Sequence, residues 1–167
     1  MENIIDYIRY TNETFEEKKW NEVDSLVLCQ LSYLKFDGLV PGADLESKCR
    51  RNKERLTIRK IDQSPERERL FRDERYAKDN REFWVALLHS RRFQNIELDY
   101  MVDLVDKDTE TQFAAVTFFL PDGAAYVAFR GTDESIIGWK EDFNPAFSKP
   151  VPAQEKSVVY LNLVAHH

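Results

Sequence analysis

A nearly unbroken apolar run, FAAVTFFL at residues 113–120, constrains the fold of this chain more than any other feature. Eight residues are far too few to span a membrane and are typical of a strand that is covered on both faces. The sequence Pro-Asp-Gly at 121–123 follows as a turn signal, and residues 124–129 return as an apolar segment. Before the run, residues 98–104 alternate apolar with more polar side chains. Together these patterns predict an antiparallel meander that enters a buried sheet.

The chain before the sheet has the periodicity of helices. Asn21 with the acids after it predicts an N-cap, and an apolar face at helical spacing follows, formed by Val23, Leu26, Val27, Leu31 and Leu34. Further helices are predicted at 44–51, 79–91, 139–143 and 153–164. We therefore divide the chain into a helical N-terminal segment, residues 1–95, and a sheet segment, residues 96–167, which together form one compact unit.

Composition and charge exclude several classes of protein. The 167 residues are 43% hydrophobic, too apolar for a disordered chain, and neither a signal peptide nor a membrane-spanning run is evident, so a cytoplasmic location is expected. Residues 46–82 carry 13 basic and 9 acidic side chains within a chain of net charge −6. Because the two signs are interleaved, this stretch indicates solvated helices with ion pairs rather than a nucleic-acid surface. Cys29 and Cys49 form no disulfide framework, and Cys29 is expected to be buried.

The segment with the most chemical content is residues 126–133, where the last predicted strand ends at Gly131 and a hydroxyl residue follows. Such a strand end can present N–H and hydroxyl donors to a developing negative charge. Arg130, close in sequence to Asp133 and Asp142, is expected to find a carboxylate partner and to brace the loop. The same residues also fit an ordinary β-to-α turn with a charge pair and no reactivity.

Residues 127–133, VAFRGTD, with Trp139 and Asp142 downstream, resemble a core strand and the loop that follows it in class 3 lipases. Four further segments look like an uncharacterised bacterial family with an α/β-hydrolase fold, namely 21–34, 90–93, 112–118 and 138–144. The resemblance covers most of the chain, is weak at 51–78, and corresponds to the N-terminal part of that family. It implies an incomplete α/β-hydrolase fold, in which the helical segment and the antiparallel meander precede the first crossover helices.

The resemblance also implies roles for individual residues. Thr132 takes the position that donates to the oxyanion hole through its N–H and hydroxyl. Arg130 and Asp142 become loop braces and Trp139 a packing anchor, with Gly131 and Asp133 as supporting residues.

The sequence departs from the hydrolase pattern at the nucleophile. None of its serines has glycine at both −2 and +2, so the GxSxG elbow is absent. His89, His166 and His167 offer no held general base. We therefore expect the N-terminal part of a serine hydrolase that acts on acyl esters only in the complete protein and is inactive alone. The alternative is a non-enzymatic α+β interaction module that forms a homodimer through an exposed sheet edge. Neither alternative requires a cofactor, a metal or a nucleic acid.

Overall fold

A computed structural model of the chain describes residues 3–50, 54–106, 111–131 and 152–166. In this part of the chain the helices are α1 (Ile4–Tyr10), α2 (Glu22–Ser32), α3 (Ile58–Asp62), a 3₁₀ helix (Arg67–Phe71), α4 (Ala77–His89) and α5 (Pro152–Ala165). The strands are β1 (Ala43–Asp44), β2 (Cys49–Arg50), β3 (Leu56–Thr57), β4 (Glu97–Asp106), β5 (Thr111–Phe119) and β6 (Ala125–Arg130). The fold is therefore mixed α+β.

The predicted antiparallel meander is confirmed. The larger sheet has the order β3-β4-β5-β6, and each neighbouring pair of its strands is antiparallel. The apolar run forms β5, which is buried along all but its last residue. The turn to β6 closes with a hydrogen bond from the Leu120 N–H to the Ala124 carbonyl (2.9 Å), and Gly123 adopts the positive φ (+86°) that the turn requires. An α/β-hydrolase architecture stays a prediction, and the helix predicted at 139–143 lies outside the described residues.

The two faces of the sheet are covered by different helices. Helix α2 lies against β6 on the face that carries Val116, Phe118 and Ala128, and this side belongs to the larger apolar cluster. Helix α5 lies on the opposite face, where Tyr160 packs with Phe113 in the smaller cluster. The near-continuous apolar character of β5 follows from this burial on both sides. The larger cluster includes residues from both predicted segments, whose boundary stays a prediction.

Helix α2 begins where the sequence predicts, but its buried face differs from the predicted one. The Asn21 side chain accepts hydrogen bonds from the Val23 and Asp24 N–H groups, and the Asn21 N–H donates to the Asp24 carboxylate, which completes a capping box. Val23 and Leu26, predicted to be buried, are 38% and 57% exposed. Asp24 instead occupies the buried stripe with Val27, because its carboxylate is paired inside the protein.

The partner of Asp24 is Arg92, and both side chains are fully buried. Arg92 Nε and Nη2 donate to the two oxygens of Asp24 at 2.8 and 2.6 Å, which is the bidentate arrangement that suits a guanidinium. Its nitrogens also donate to the carbonyls of Thr14, Lys18 and Lys19. Arg92 thus fixes the loop between α1 and α2 against the end of α4.

Two other predictions need correction. Residues 44–50, the described part of the helix predicted at 44–51, form no helix; they belong to the two-stranded β1–β2 hairpin, in which Ala43 lies opposite Arg50. Cys29, predicted to be buried, is exposed, and its Sγ lies 3.2 Å from the Tyr126 hydroxyl. The helices predicted at 79–91 and 153–164 are confirmed as α4 and α5, with shifts of one or two residues at their ends.

Candidate functional site

The predicted site residues fall at the end of β6, and only part of this site is described. Arg130 is the last residue of β6 and Gly131 follows it. Thr132, Asp133, Trp139 and Asp142 lie outside the described residues, so the oxyanion and loop roles assigned to them stay predictions. Of the predicted site, the structure describes Arg130 and Gly131, and neither residue carries a nucleophile.

Arg130 is held by a carboxylate from within the sheet. Its Nη2 donates to Asp103 Oδ2 at 2.6 Å, and the two side chains are 8% and 22% exposed. The register explains the pair, because Asp103 and Arg130 both lie opposite Ala114, one from each neighbouring strand. The small alanine side chain leaves room for the arginine to reach across β5. The sequence predicts a carboxylate partner for Arg130 in the following loop, and Asp103 is not among the predicted partners.

Gly131 lies close to the end of α2. A Cβ atom placed on Gly131 would be 3.4 Å from the Tyr33 hydroxyl, an ordinary van der Waals distance. Its φ lies outside the positive range, so the backbone itself does not require glycine here. Gly131 thus marks the point where β6 passes α2, and an alanine at this position would be tolerated.

A cavity of about 440 Å³ opens at this point between α2, α4 and the end of β6. We call it the strand-end cavity. The residues that line it include Tyr33, Lys35, Tyr76, Asp79, Asn80 and Arg130. Asn80 is 9% exposed, while Tyr33 and Tyr76 are each 51% exposed. The cavity therefore has a buried polar floor and an aromatic rim.

A second polar cluster lies on the opposite face of the sheet, under α5. The Thr117 and Tyr160 hydroxyls are 2.7 Å apart and fully buried. Asp99, opposite Thr117 in the register, forms an ion pair with Arg50. Burial raises the pKa of the Tyr160 phenol and of the Asp99 carboxyl, while the Tyr100 N–H and Arg50 act to lower that of Asp99.

An irregularity in β4 builds this second cluster. The register shifts between Asp99 and Val102, and Tyr100 adopts a φ of +57°, which is uncommon for a bulky residue. The extra residue of the bulge places Tyr100 in the same apolar cluster as Val102, on the α5 side of the sheet. The sequence of residues 98–104 predicts a regular strand with simple alternation, and no local signal in this segment marks a bulge.

A group of exposed apolar side chains lies on α5 and on the edge strand of the sheet, β6. Val158 and Leu161 are 59% and 45% exposed, and they are three residues apart on one side of the helix. Phe129 on β6 is 43% exposed and packs edge-on against Tyr160 (5.9 Å between ring centroids). We call Val158, Leu161 and Phe129 the α5–β6 surface.

Two kinds of site are absent from the described residues. No group of three or more His, Cys, Asp or Glu side chains is arranged to hold a metal ion in the ranges that the structure describes. Within the same ranges, every helix is too short or too polar to cross a bilayer.

The C-terminal half of the chain matches the model of a protein family. Residues 87–167 are similar to the Mbeg1-like family. This part of the chain includes β4, β5, β6 and α5. No curated protein and no solved structure matches the chain. The expected membership of an α/β-hydrolase-like family related to class 3 lipases is therefore wrong, and so is the lipase-like classification drawn from it, because the family model that matches is a different one. That prediction rested on residues 127–133 with Trp139 and Asp142, and on four further short segments of the chain.

Proposed function

We propose that this chain is an interaction module that associates with a second copy of itself through the edge of β6 and the α5–β6 surface. The observation that carries the proposal is that exposed apolar residues of α5 occur together with an edge of β6 on which no strand of the described residues pairs. It is the non-enzymatic alternative predicted from the sequence.

The edge of β6 has the features of a pairing strand. Strand β6 is last in the sheet order, and no strand among the described residues pairs with its outer side. Its six residues, AYVAFR, contain neither the lysine nor the proline that often protects an edge. The other edge of the sheet, β3, is only two residues long, and short edges rarely pair with another chain.

The exposed residues of α5 would supply the apolar part of the interface. Tyr160 and Leu163 are buried against the sheet, while Val158 and Leu161 point to the other side and remain more than two-fifths exposed. Val158 and Leu161, three residues apart, form an exposed apolar pair on the helix, and larger apolar surfaces of this kind are typical of protein contacts. A two-fold arrangement would bring the same surface from each copy together, as in most homodimers.

Hydrogen–deuterium exchange at two protein concentrations tests the location of the contact. Exchange in β6 and α5 is expected to slow as the concentration rises, because pairing protects the outer N–H groups of β6. Helix α4 serves as the internal control, since it lies away from this surface. Equal exchange in β6 at both concentrations, although the chain is associated, would contradict the proposed contact.

Hydrolysis of an acyl ester stays a prediction from the sequence, as does a cytoplasmic location. It is tested with short-chain p-nitrophenyl esters, on which the chain alone is expected to be inactive. Turnover that a serine-directed phosphonate abolishes would contradict the interpretation that this chain lacks a nucleophile.

A further inference from the structure

We propose that strand β6 pairs with β6 of the second copy in the antiparallel direction, with Val127 of each copy on the two-fold axis. This pairing rests on the self-association proposed above and specifies its direction, its register and the residues that determine both. Three features support it: the face of the sheet that carries α5, the backbone groups of β6 that point outward, and the positions of small side chains along the strand.

The position of α5 determines the direction of the pairing. Helix α5 lies on the face of the sheet where Val127 packs against the apolar cluster that contains Tyr160. A two-fold axis perpendicular to the sheet reverses the strand direction and keeps both copies of α5 on the same face. A two-fold axis parallel to the strands would give parallel pairing and place the second α5 on the opposite face. Val158 and Leu161 of the two copies can therefore meet only in the antiparallel arrangement.

The backbone groups that are available for this pairing belong to alternate residues of β6. Leu120 donates its N–H to the Ala124 carbonyl, so these two residues form a hydrogen-bonded pair. The register between β5 and β6 continues from them without a shift, and hydrogen-bonded pairs alternate with non-hydrogen-bonded pairs along antiparallel strands. The N–H and C=O groups of the even-numbered residues of β6 therefore face β5. Those of Ala125, Val127 and Phe129 point to the open edge.

A register centred on Val127 uses all of these outward groups in both copies. Val127 then lies opposite Val127 of the second copy, and Ala125 lies opposite Phe129 of the second copy. Each of these pairs exchanges two hydrogen bonds, which gives about six across the axis. A shift by two residues in either direction leaves an outward residue of each copy beyond the end of the other β6. A shift by one residue would set outward backbone groups against inward ones and place side chains on the wrong face.

The sizes of the side chains favour the same register. Phe129, which is 43% exposed, lies opposite the small Ala125 of the second copy on the α5 face. On the α2 face, Tyr126 lies opposite Ala128 of the second copy in a non-hydrogen-bonded pair, where side chains approach each other most closely. Each aromatic side chain of β6 therefore faces an alanine, and Ala125 and Ala128 determine the register.

Disulfide cross-linking of the full chain in solution tests the register. The cysteines are introduced together with Cys29→Ser and Cys49→Ser, because both native cysteines are exposed. Val127→Cys is expected to form a disulfide-linked dimer on mild oxidation, since the Cα atoms of a hydrogen-bonded pair are about 5.5 Å apart, within disulfide range. Ala125→Cys is the matched control on the same face of β6. Its two copies lie about 14 Å apart along the strands in the proposed register, so it should stay unlinked.

Two further variants make the test independent of position 127. The double variant Ala125→Cys with Phe129→Cys places a cysteine opposite a cysteine on each side of the axis, and it is expected to cross-link. Ala128→Cys reports the register that is shifted by two residues, in which Ala128 would lie on the axis. In the proposed register its two copies are diagonal neighbours about 7–8 Å apart, so it should link more slowly than Val127→Cys. Thermal unfolding confirms that each variant is folded.

Sedimentation velocity before oxidation separates a wrong register from a lack of association. Cross-linking of Ala125→Cys or Ala128→Cys as fast as that of Val127→Cys would overturn the register. Variants that dimerise although Val127→Cys and the double variant both stay unlinked would also overturn it, and self-association would then stand. A chain that stays monomeric would contradict the self-association and, with it, this pairing.

Discussion

Arg92 connects three parts of the chain that are far apart in sequence. It pairs with Asp24 on α2 and donates to carbonyls of the loop before α2, while its guanidinium lies 3.9 Å from the centre of the Phe15 ring. A buried ion pair of this kind costs much to break, because the remaining partner becomes an uncompensated buried charge.

Replacement of this arginine should be among the most destabilising changes in the protein. Arg92→Met is expected to lower the free energy of unfolding by about 3–5 kcal/mol. Arg91→Met is the matched control, because Arg91 is 61% exposed and lies 3.6 Å from Glu17, so its loss should cost at most about 1 kcal/mol. Urea unfolding of both variants checks the difference, and equal stabilities would show that the buried pair contributes nothing.

Asp99 gives the stability a dependence on pH. Burial raises the pKa of its carboxyl above the ordinary 3.8, so the folded protein holds this proton to a higher pH than the unfolded chain does. The contribution of Asp99 to stability is therefore greatest below pH 3.8 and decreases as the pH rises through the folded-state pKa.

The comparison with Asp99→Asn isolates this effect. The parent protein is expected to lose stability relative to the variant as the pH rises from about 3 towards neutrality. Urea unfolding across this pH range measures it; a parent protein that gains stability relative to Asp99→Asn would contradict the assigned direction.

Residues with local roles could be predicted, and residues with distant partners could not. Asn21 caps α2 through the N–H groups of Val23 and Asp24, so its signal is contained in the sequence around it. Asp24 looked like an ordinary first-turn acid, because its partner Arg92 is 68 positions away. Arg130 was expected to find a carboxylate nearby in sequence, whereas its described partner reaches it across β5 from β4.

At the scale of elements, α5 is fixed to the sheet by one buried polar contact within an apolar cluster. The hydroxyls of Tyr160 and Thr117 are 2.7 Å apart and form a hydrogen bond. Burial raises the pKa of the Tyr160 phenol, so the phenol stays protonated. Phe113 and Phe129 pack edge-on against the same ring. The hydrogen bond and the ring packing at Tyr160 therefore fix the position of α5 on the sheet.

Loss of this hydroxyl should loosen α5. Tyr160→Phe is expected to cost about 1–3 kcal/mol, because it leaves the buried Thr117 hydroxyl without its partner. Tyr10→Phe, at a residue 73% exposed, should change the stability by less than about 0.5 kcal/mol. Thermal unfolding measures both.

The double variant Thr117→Val with Tyr160→Phe separates the hydrogen bond from packing. It is expected to recover part of the stability that Tyr160→Phe loses, since no buried hydroxyl is then left unpaired. If the double variant loses as much stability as the two single variants together, a role for this hydrogen bond is contradicted.

Elements were predicted well where periodicity is continuous and poorly where it is short. The apolar run at 113–120 predicts β5, and the helical periodicity at 79–91 predicts α4, because burial over many residues determines each pattern. The β1–β2 hairpin was mistaken for a helix, because two-residue strands carry no periodicity. The bulge at Tyr100 depends on the contacts of β4 with both neighbours, which no single segment encodes.

At the scale of the whole molecule, the charges do not form a large single-sign surface in the described residues of 46–82. The Arg67 guanidinium donates hydrogen bonds to Asp62 and to one oxygen of Glu68. The Arg81 guanidinium donates a hydrogen bond to the other oxygen of Glu68. Exposed pairs of this kind contribute little stability each. These contacts are the ion pairs that the interleaved charges of the sequence indicate. Because they contribute little stability, apolar contact is the more suitable basis for association.

Self-association through the α5–β6 surface is the central claim, and sedimentation velocity tests it most directly. Between about 1 and 100 µM the chain is expected to shift from monomer to dimer, the range typical of a modest interface. The double variant Val158→Asp with Leu161→Asp should stay monomeric, because it places charges in the apolar contact. Val85→Asp, at a residue 49% exposed on α4, is the matched control and should behave as the parent chain does. A parent chain that stays monomeric throughout, or a double variant that dimerises equally, would contradict the proposed interface.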